Sequence, residues 1–201
     1  MGVAMRRAGE GDRERLVRLL DEAFQYDPVS SWVFPDETHR RKVHGAFMGV
    51  FLDVALGEGW VDITEDGAAA ALWLQVSAGV PEEEDGTPAR MREIADPENE
   101  RAELVGRLTG AVHPHDRAHH YLLLIAATPE RQGKGLGTAL LTSVLERCDR
   151  TGSPAYLEAS SERSRELYER LGFALRGEPV RLPDGPQMFP MWREPVATAT
   201  P

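Results

Sequence analysis

The spacing of apolar residues changes along the chain, and each change marks an element. A short strand is expected over residues 3–8. Leu16, Leu19, Leu20, Ala23 and Phe24 then recur at helical spacing, which predicts a helix to about Phe24 with Asp12 as its N-cap. Residues 26–36 carry two prolines and read as a loop, which exposes Trp32 and Phe34 unless something packs on them. Val43, Phe47, Val50, Phe51 and Val54 predict a second helix over 38–56, ended by Gly57 and Gly59. Residues 60–64 and 68–76 read as strands about the turn Glu65-Asp66-Gly67, a hairpin pattern. Helix is expected over 88–112, broken near Asp96-Pro97.

The longest apolar run follows, Tyr121-Leu122-Leu123-Leu124-Ile125-Ala126-Ala127, and Thr128-Pro129 ends it. A run this apolar suits a strand covered on both faces. Gly133, Gly135 and Gly137 come next, at alternate positions. A helix over 136–150 then places Leu136, Leu140, Val144 and Cys148 on one stripe. Strand, glycine-rich turn and helix N-terminus together form a natural anion cradle, because successive N–H groups and the helix dipole favour negative charge. A strand over 154–159, a helix capped by Ser160 or Ser161 and closed by Gly172, and a final strand pair over 173–179 and 187–193 complete the pattern. Alternating strands and helices around 121–173, flanked by hairpins, indicate one α/β (α+β) domain over 1–195, with a disordered tail over 196–201.

Charge and cysteine content narrow the function classes. Net charge is −10, and no basic stripe of the kind nucleic acid needs is present. The acidic run Glu82-Glu83-Glu84-Asp85 reads as a solvated loop or as an attraction for cationic substrates. Cys148 is the only cysteine, which fits a reducing compartment. No segment has the ~18 apolar residues of a membrane span, and the N-terminus lacks a signal-peptide core, so a cytoplasmic protein is expected. Arg6 stands where an N-myristoylation pattern needs Ser or Thr.

Three phosphate-binding patterns compete for the glycines. A P-loop fails because Thr128 replaces its first glycine and Gly135 its hydroxyl residue. A dinucleotide fingerprint fails because Thr138 occupies the last glycine position, although Glu158 ends the next strand where a ribose-binding acid would lie. Gln132-Gly133-Lys134-Gly135-Leu136-Gly137 fits Q/R-x-x-G-x-G/A, and so resembles the acetyl-CoA signature of the GNAT superfamily of N-acetyltransferases. The helix ending Leu167-Tyr168-Glu169-Arg170-Leu171-Gly172-Phe173 resembles the family's Y-x-x-x-G-F ending. Residues 60–73, 154–173 and 191–195 are also similar to a subgroup of puromycin N-acetyltransferase-like bacterial enzymes. The chain departs from these at Ala127, where the family usually has Val, at Ser164, where the subgroup has Asn, and in the loops over 26–36 and 80–116.

The resemblance implies a GNAT fold. Its central mixed, mostly antiparallel twisted sheet of about seven strands is flanked by helices and splayed between the strands at 121–127 and 154–159. It implies acetyl-CoA as cosubstrate, no metal, and transfer to a small-molecule primary amine by direct attack in a ternary complex. Protein N-terminal or lysine acetylation and a non-catalytic CoA sensor are the alternatives. Either a monomer or a homodimer is compatible, and neither nucleic acid nor membrane is expected as partner. Backbone N–H groups over Gln132, Gly133, Lys134, Gly135, Leu136, Gly137 and Thr138 would hold the diphosphate, with charge from Arg131 and Lys134. The strand at Ile125, Ala126 and Ala127 would pair with the pantetheine arm, and an N–H near Ala126 or Ala127 would face the developing oxyanion.

The acceptor must lose a proton before it attacks. Glu158 is the candidate base, its other reading being a dipole or salt-bridge partner for the next helix. Tyr168 is the candidate acid toward the departing thiolate, or else a core aromatic. Ser164 would contact CoA. Asp27, Trp32 and Phe34 line the acceptor side or simply pack. His113, His115, His119 and His120 lack the cysteine partners of a metal site and read as loop residues, or as neighbours of the acceptor. Cys148 reads as a buried small hydrophobe.

Overall fold

A computed structural model of the chain describes residues 3–79, 87–95 and 100–197. Eight strands form one sheet: β1 (Met5–Arg7), β2 (Gly59–Thr64), β3 (Ala69–Val76), β4 (His119–Ala127), β5 (Ala155–Ala159), β6 (Ala174–Leu175), β7 (Val180–Arg181) and β8 (Gln187–Arg193). Their order is β1-β2-β3-β4-β5-β8-β6, with β7 on β8. Every pairing is antiparallel except β4 with β5. The final expected pair is therefore three strands: 173–179 holds only the two-residue β6, Gly177 turns the chain at a φ of +77°, and β7 follows at Val180–Arg181.

Helices cover both faces. α1 (Arg13–Phe24), α2 (Pro28–Val33) and α3 (Glu37–Glu58) lie on one side; α6 (Leu136–Thr151) and α7 (Glu162–Arg170) serve the other. β3 shows how the sheet divides the core: Ala69, Ala71 and Trp73 join the α6 cluster, while Ala70 and Leu72 join the α1–α3 cluster. α4 (Thr87–Ala95) and α5 (Glu100–Val112) are the two pieces of the expected broken helix, and the acidic run at 82–85 lies outside the described residues. So do residues 198–201 of the expected tail, whereas the Val196 N–H donates to Asp149 Oδ1 at 2.8 Å.

Two local readings need correction. The stretch 26–36 is not a loop throughout: Asp27 Oδ1 accepts from the Val29 and Ser30 N–H groups, and Pro28 starts α2. A proline at the first helical position removes a donor that would have been unsatisfied anyway. Asp12 stands at the N-cap of α1 but makes no cap bond to that helix. Its carboxylate instead accepts from Arg6 at 2.6 and 2.7 Å and from the Gly9 N–H, so the Arg6 hydrogen bond, then that of Gly9, holds it well below the usual carboxylate range.

Gly59 joins α3 to β2 at a point of close approach. A Cβ there would overlap the Trp73 carbonyl oxygen, a backbone atom of the paired strand. Gly59→Ala should therefore cost about 2–3 kcal/mol and lower the melting temperature by roughly 5–10 °C. Thermal unfolding followed by circular dichroism reads this directly.

Candidate active site

The site begins where two strands part. β4 and β5 pair only at His120↔Ala155 and Tyr121↔Tyr156. Beyond that point each strand is held from its other side, β4 by β3 and β5 by β8, and a gap opens between them. The expected splay is present.

A bulge sets what faces the gap. Leu72 pairs with Leu124 but Trp73 pairs with Leu122, so Leu123 is an extra residue in β4. The bulge shifts the side-chain phase: Leu122, Ile125 and Ala127 pack toward the α6 cluster, while Leu123, Leu124 and Ala126 pack toward α1–α3. Backbone direction follows from one further bond. Thr128 N–H donates to Ala68 O at 2.9 Å, so alternation turns the backbone of Ala126 toward β3 and that of Ile125 and Ala127 into the gap. Between the two oxyanion donors named from sequence, alternation favours Ala127. Gln132 Nε2 approaches the Ala127 carbonyl at 3.4 Å.

The glycine turn lies at the end of β4. Gly133 and Gly135 have φ of +73° and +82°, and Gly135 is the N-cap of α6. Ala139 N–H is the first in α6 to be bonded, to Gly135 O. The N–H groups of Gly133, Gly135, Leu136, Gly137 and Thr138 make no hydrogen bond among the described residues. Open space lies beside Gly135, and side chains come no nearer than ordinary contact to Gly137. A diphosphate fits this cradle, since it needs donors, a helix N-terminus and room. Lys134 is exposed at the turn. Arg131 points away to Asp66 at 3.3 Å. Arg163 of α7, which sequence reading passed over, brings its guanidinium to the Gly133 side of the cradle. Ser164 is taken up locally: its Oγ accepts from the Ser161 N–H and donates to the Ser161 carbonyl, closing a capping box.

Across the gap, Glu158 is buried, with its side chain only 4% exposed. Tyr121 donates its hydroxyl to Glu158 Oε2 at 2.8 Å, and Oε1 has no hydrogen-bond partner among the described residues. The His113 Nδ1 lies 3.9 Å from that free oxygen. The Tyr121 phenol is pushed far up by burial first and the Glu158 charge second, and burial and the same carboxylate raise Tyr156. The N-cap of α7 is Ser161, whose side chain accepts from the Ser164 N–H. The pair Glu158–Tyr121 is separated by 37 residues and only the strand pairing brings it together.

Tyr168 is buried in the α6 cluster, edge-on to Phe173 at 5.9 Å, and its hydroxyl makes no hydrogen bond among the described residues. Burial, then the neighbouring Asp27 charge, push its phenol well up. Asp27 is linked to the exit of β5, where Ser160 donates to its Oδ2 at 2.6 Å. Burial raises this carboxyl against the pull of those hydrogen bonds. Trp32 Nε1 donates to Pro183 O at 3.0 Å, fixing α2 to the turn before β8. Phe34 is 1% exposed and packs edge-on against Phe47, so it follows the packing alternative. Cys148 is fully buried in the α6 cluster.

The acetyltransferase (GNAT) family matches residues 60–173, which run from within β2 through α7 and take in the glycine turn, the gap, Glu158 and Tyr168. Mycothiol acetyltransferase of Acidimicrobium ferrooxidans is 36% identical over 106 residues, 48% of this chain and 32% of that protein. The enzyme of the same name from Paenarthrobacter aurescens is 35% identical over 37% of this chain and 25% of that protein. The aligned stretches thus span a third or less of these relatives' length. Among solved structures, one described as histone acetyltransferase HPA2 and related acetyltransferase, from Corynebacterium glutamicum, superposes over 100% of both chains with a TM-score of 0.69 and 25% identity. Arylalkylamine N-acetyltransferase 2 from Aedes aegypti shares the fold at 15% identity, with a TM-score of 0.66 over 96% of this chain and 99% of that one. With the matched region spanning more than half of the sequence, the chain belongs to the GNAT acetyltransferase family.

Proposed function

We propose that this protein is an acetyl-CoA-dependent N-acetyltransferase acting on the primary amine of a small molecule, by direct attack in a ternary complex. The observation that carries the reading is the open gap between β4 and β5, with an anion cradle at one end and a buried carboxylate with a free oxygen on the opposite strand. Gly133–Thr138 and Arg163 hold the diphosphate, and the gap-facing backbone of Ile125 and Ala127 pairs with the pantetheine amides. Acetyl-CoA supplies the reactive thioester. The Ala127 N–H stabilises the oxyanion that develops on the acetyl carbonyl. Glu158 accepts the proton that an ammonium must lose before it can attack, and Tyr168 donates to the departing sulfur. Burial, then the Asp27 charge, raise the Tyr168 phenol and keep its proton in place until the thiolate forms.

The two relatives named for mycothiol favour a small acceptor. The Corynebacterium structure named as a histone acetyltransferase supports a second reading, a protein lysine or N-terminus as acceptor. A thiol-release screen with acetyl-CoA separates them. Aminoglycosides, aminonucleosides, polyamines, amino acids and peptides are offered in turn, and turnover is expected with one small amine class. Turnover confined to peptides would move the assignment to protein acetylation. Acetyl-CoA binding without thiol release from any amine would leave a sensor. One domain carries both halves of the proposed site, and no step requires a metal, a nucleic acid or a membrane.

A further inference from the structure

The Arg117 carbonyl, His119 and His113 line up behind Glu158, and of these four groups the reaction above uses only Glu158. His113 follows α5, His119 opens β4, and Glu158 lies on β5. His119 Nδ1 is 2.8 Å from the Arg117 carbonyl, and a carbonyl only accepts, so this nitrogen carries a hydrogen. His119 is 2% exposed; burial lowers its pKa, outweighing the Arg117 carbonyl bond that pulls the other way, and favours the neutral ring. A neutral His119 therefore presents a lone pair at Nε2. That atom lies 3.2 Å from His113 Nε2, which must then be the donor. Neutral His113 is left with its own lone pair at Nδ1, the atom 3.9 Å from the unpartnered Glu158 Oε1. Tyr121 and Tyr156 stand edge-on to the His113 ring at 4.8 and 4.9 Å and hold it in this orientation.

We infer that His113 is a positioning residue that relieves Glu158 of its proton, its acceptor atom being set by His119 and the Arg117 carbonyl. The inference rests on Glu158 acting as the base. In the step, an ammonium N–H breaks as the Oε1–H bond forms, and that O–H breaks as the Nδ1–H bond of His113 forms. Glu158 is again a carboxylate and His113 an imidazolium, which the restored carboxylate stabilises. The 3.9 Å separation closes when Oε1 carries a hydrogen to donate; contacts of this kind are commonly long before substrate binds. The other charged or titratable groups facing the pair are His115 beside His113, and Asp116 and Arg176 beside His119.

Two experiments on the full chain test this. Imidazole nitrogen NMR should find hydrogen on Nε2 of neutral His113 and on Nδ1 of neutral His119. The opposite His113 tautomer overturns the inference without touching the base assignment. In turnover of the amine identified by thiol release, His113→Ala should lower kcat about tenfold, with the acetyl-CoA KM little changed. Added imidazole should restore part of the rate. His113→Gln, judged against its melting curve, serves where the alanine variant folds poorly. Loss of rate in Glu158→Gln with wild-type rate and pH profile in both His113 variants removes His113 alone. Wild-type rate in Glu158→Gln removes the base reading and this step with it.

Discussion

Tyr168→Phe should lower kcat by about a hundredfold while leaving acetyl-CoA affinity within about twofold of wild type. The substitution removes one oxygen and keeps the ring. The edge-on contact with Phe173 and the burial in the α6 cluster survive, so stability should change little. The hydroxyl has no hydrogen-bond partner to strand among the described residues. Burial and the Asp27 charge push the phenol upward, so it stays protonated throughout the neutral range. On the proposed mechanism the variant loses a donor that matters only as the thiolate leaves. The proposed diphosphate cradle is made by backbone groups at 133–138 and is unchanged, hence the split between kcat and affinity. A more discriminating measurement uses acyl donors whose thiols are more acidic. Such a leaving group needs less help, so the defect should shrink as thiol acidity rises. An unchanged kcat, or a defect independent of the leaving group, would return Tyr168 to a packing role.

What was legible in the sequence was local. The helices declare themselves by spacing, and the cradle by glycines whose positive φ values only that residue adopts freely. Ser161 marks the start of α7 by its capping hydrogen bond, and Gly172 follows its end with a φ of +89°. The bulge at Leu123 is invisible because Tyr121–Ala127 is apolar on both faces, and a uniform run carries no phase. The helix Pro28–Val33 was missed because proline was weighed as a breaker rather than as a first helical residue behind an Asp cap. The surroundings of Glu158 were out of reach for another reason. Tyr121, His113 and Tyr156 meet it only after α5, β4 and β5 are assembled, and nothing in their spacing announces it. Arg163 likewise reaches Gly133 only through the packing of α7 beside the cradle.

Glu158→Gln should lower kcat/KM by about 10²–10⁴ near neutral pH, and the deficit should narrow as pH rises. The side chain keeps its size and one carbonyl oxygen, which can still accept from Tyr121 in place of Oε2. Its amide can donate to the His113 Nδ1 lone pair that the carboxylate only faces. The fold has no reason to suffer, and a melting curve close to wild type is the control. What is lost is the ability to take a proton. A lysine-like amine, with a pKa of about 10.4, is then supplied neutral only by solution equilibrium. That neutral fraction rises about tenfold per pH unit below the amine pKa, so the variant should gain rate with pH more steeply than wild type. A purely structural contribution of Glu158 would give a ratio independent of pH. Measuring kcat/KM for both forms between about pH 6 and 10 separates the two: a ratio that closes with pH marks the base, and a flat one removes that role.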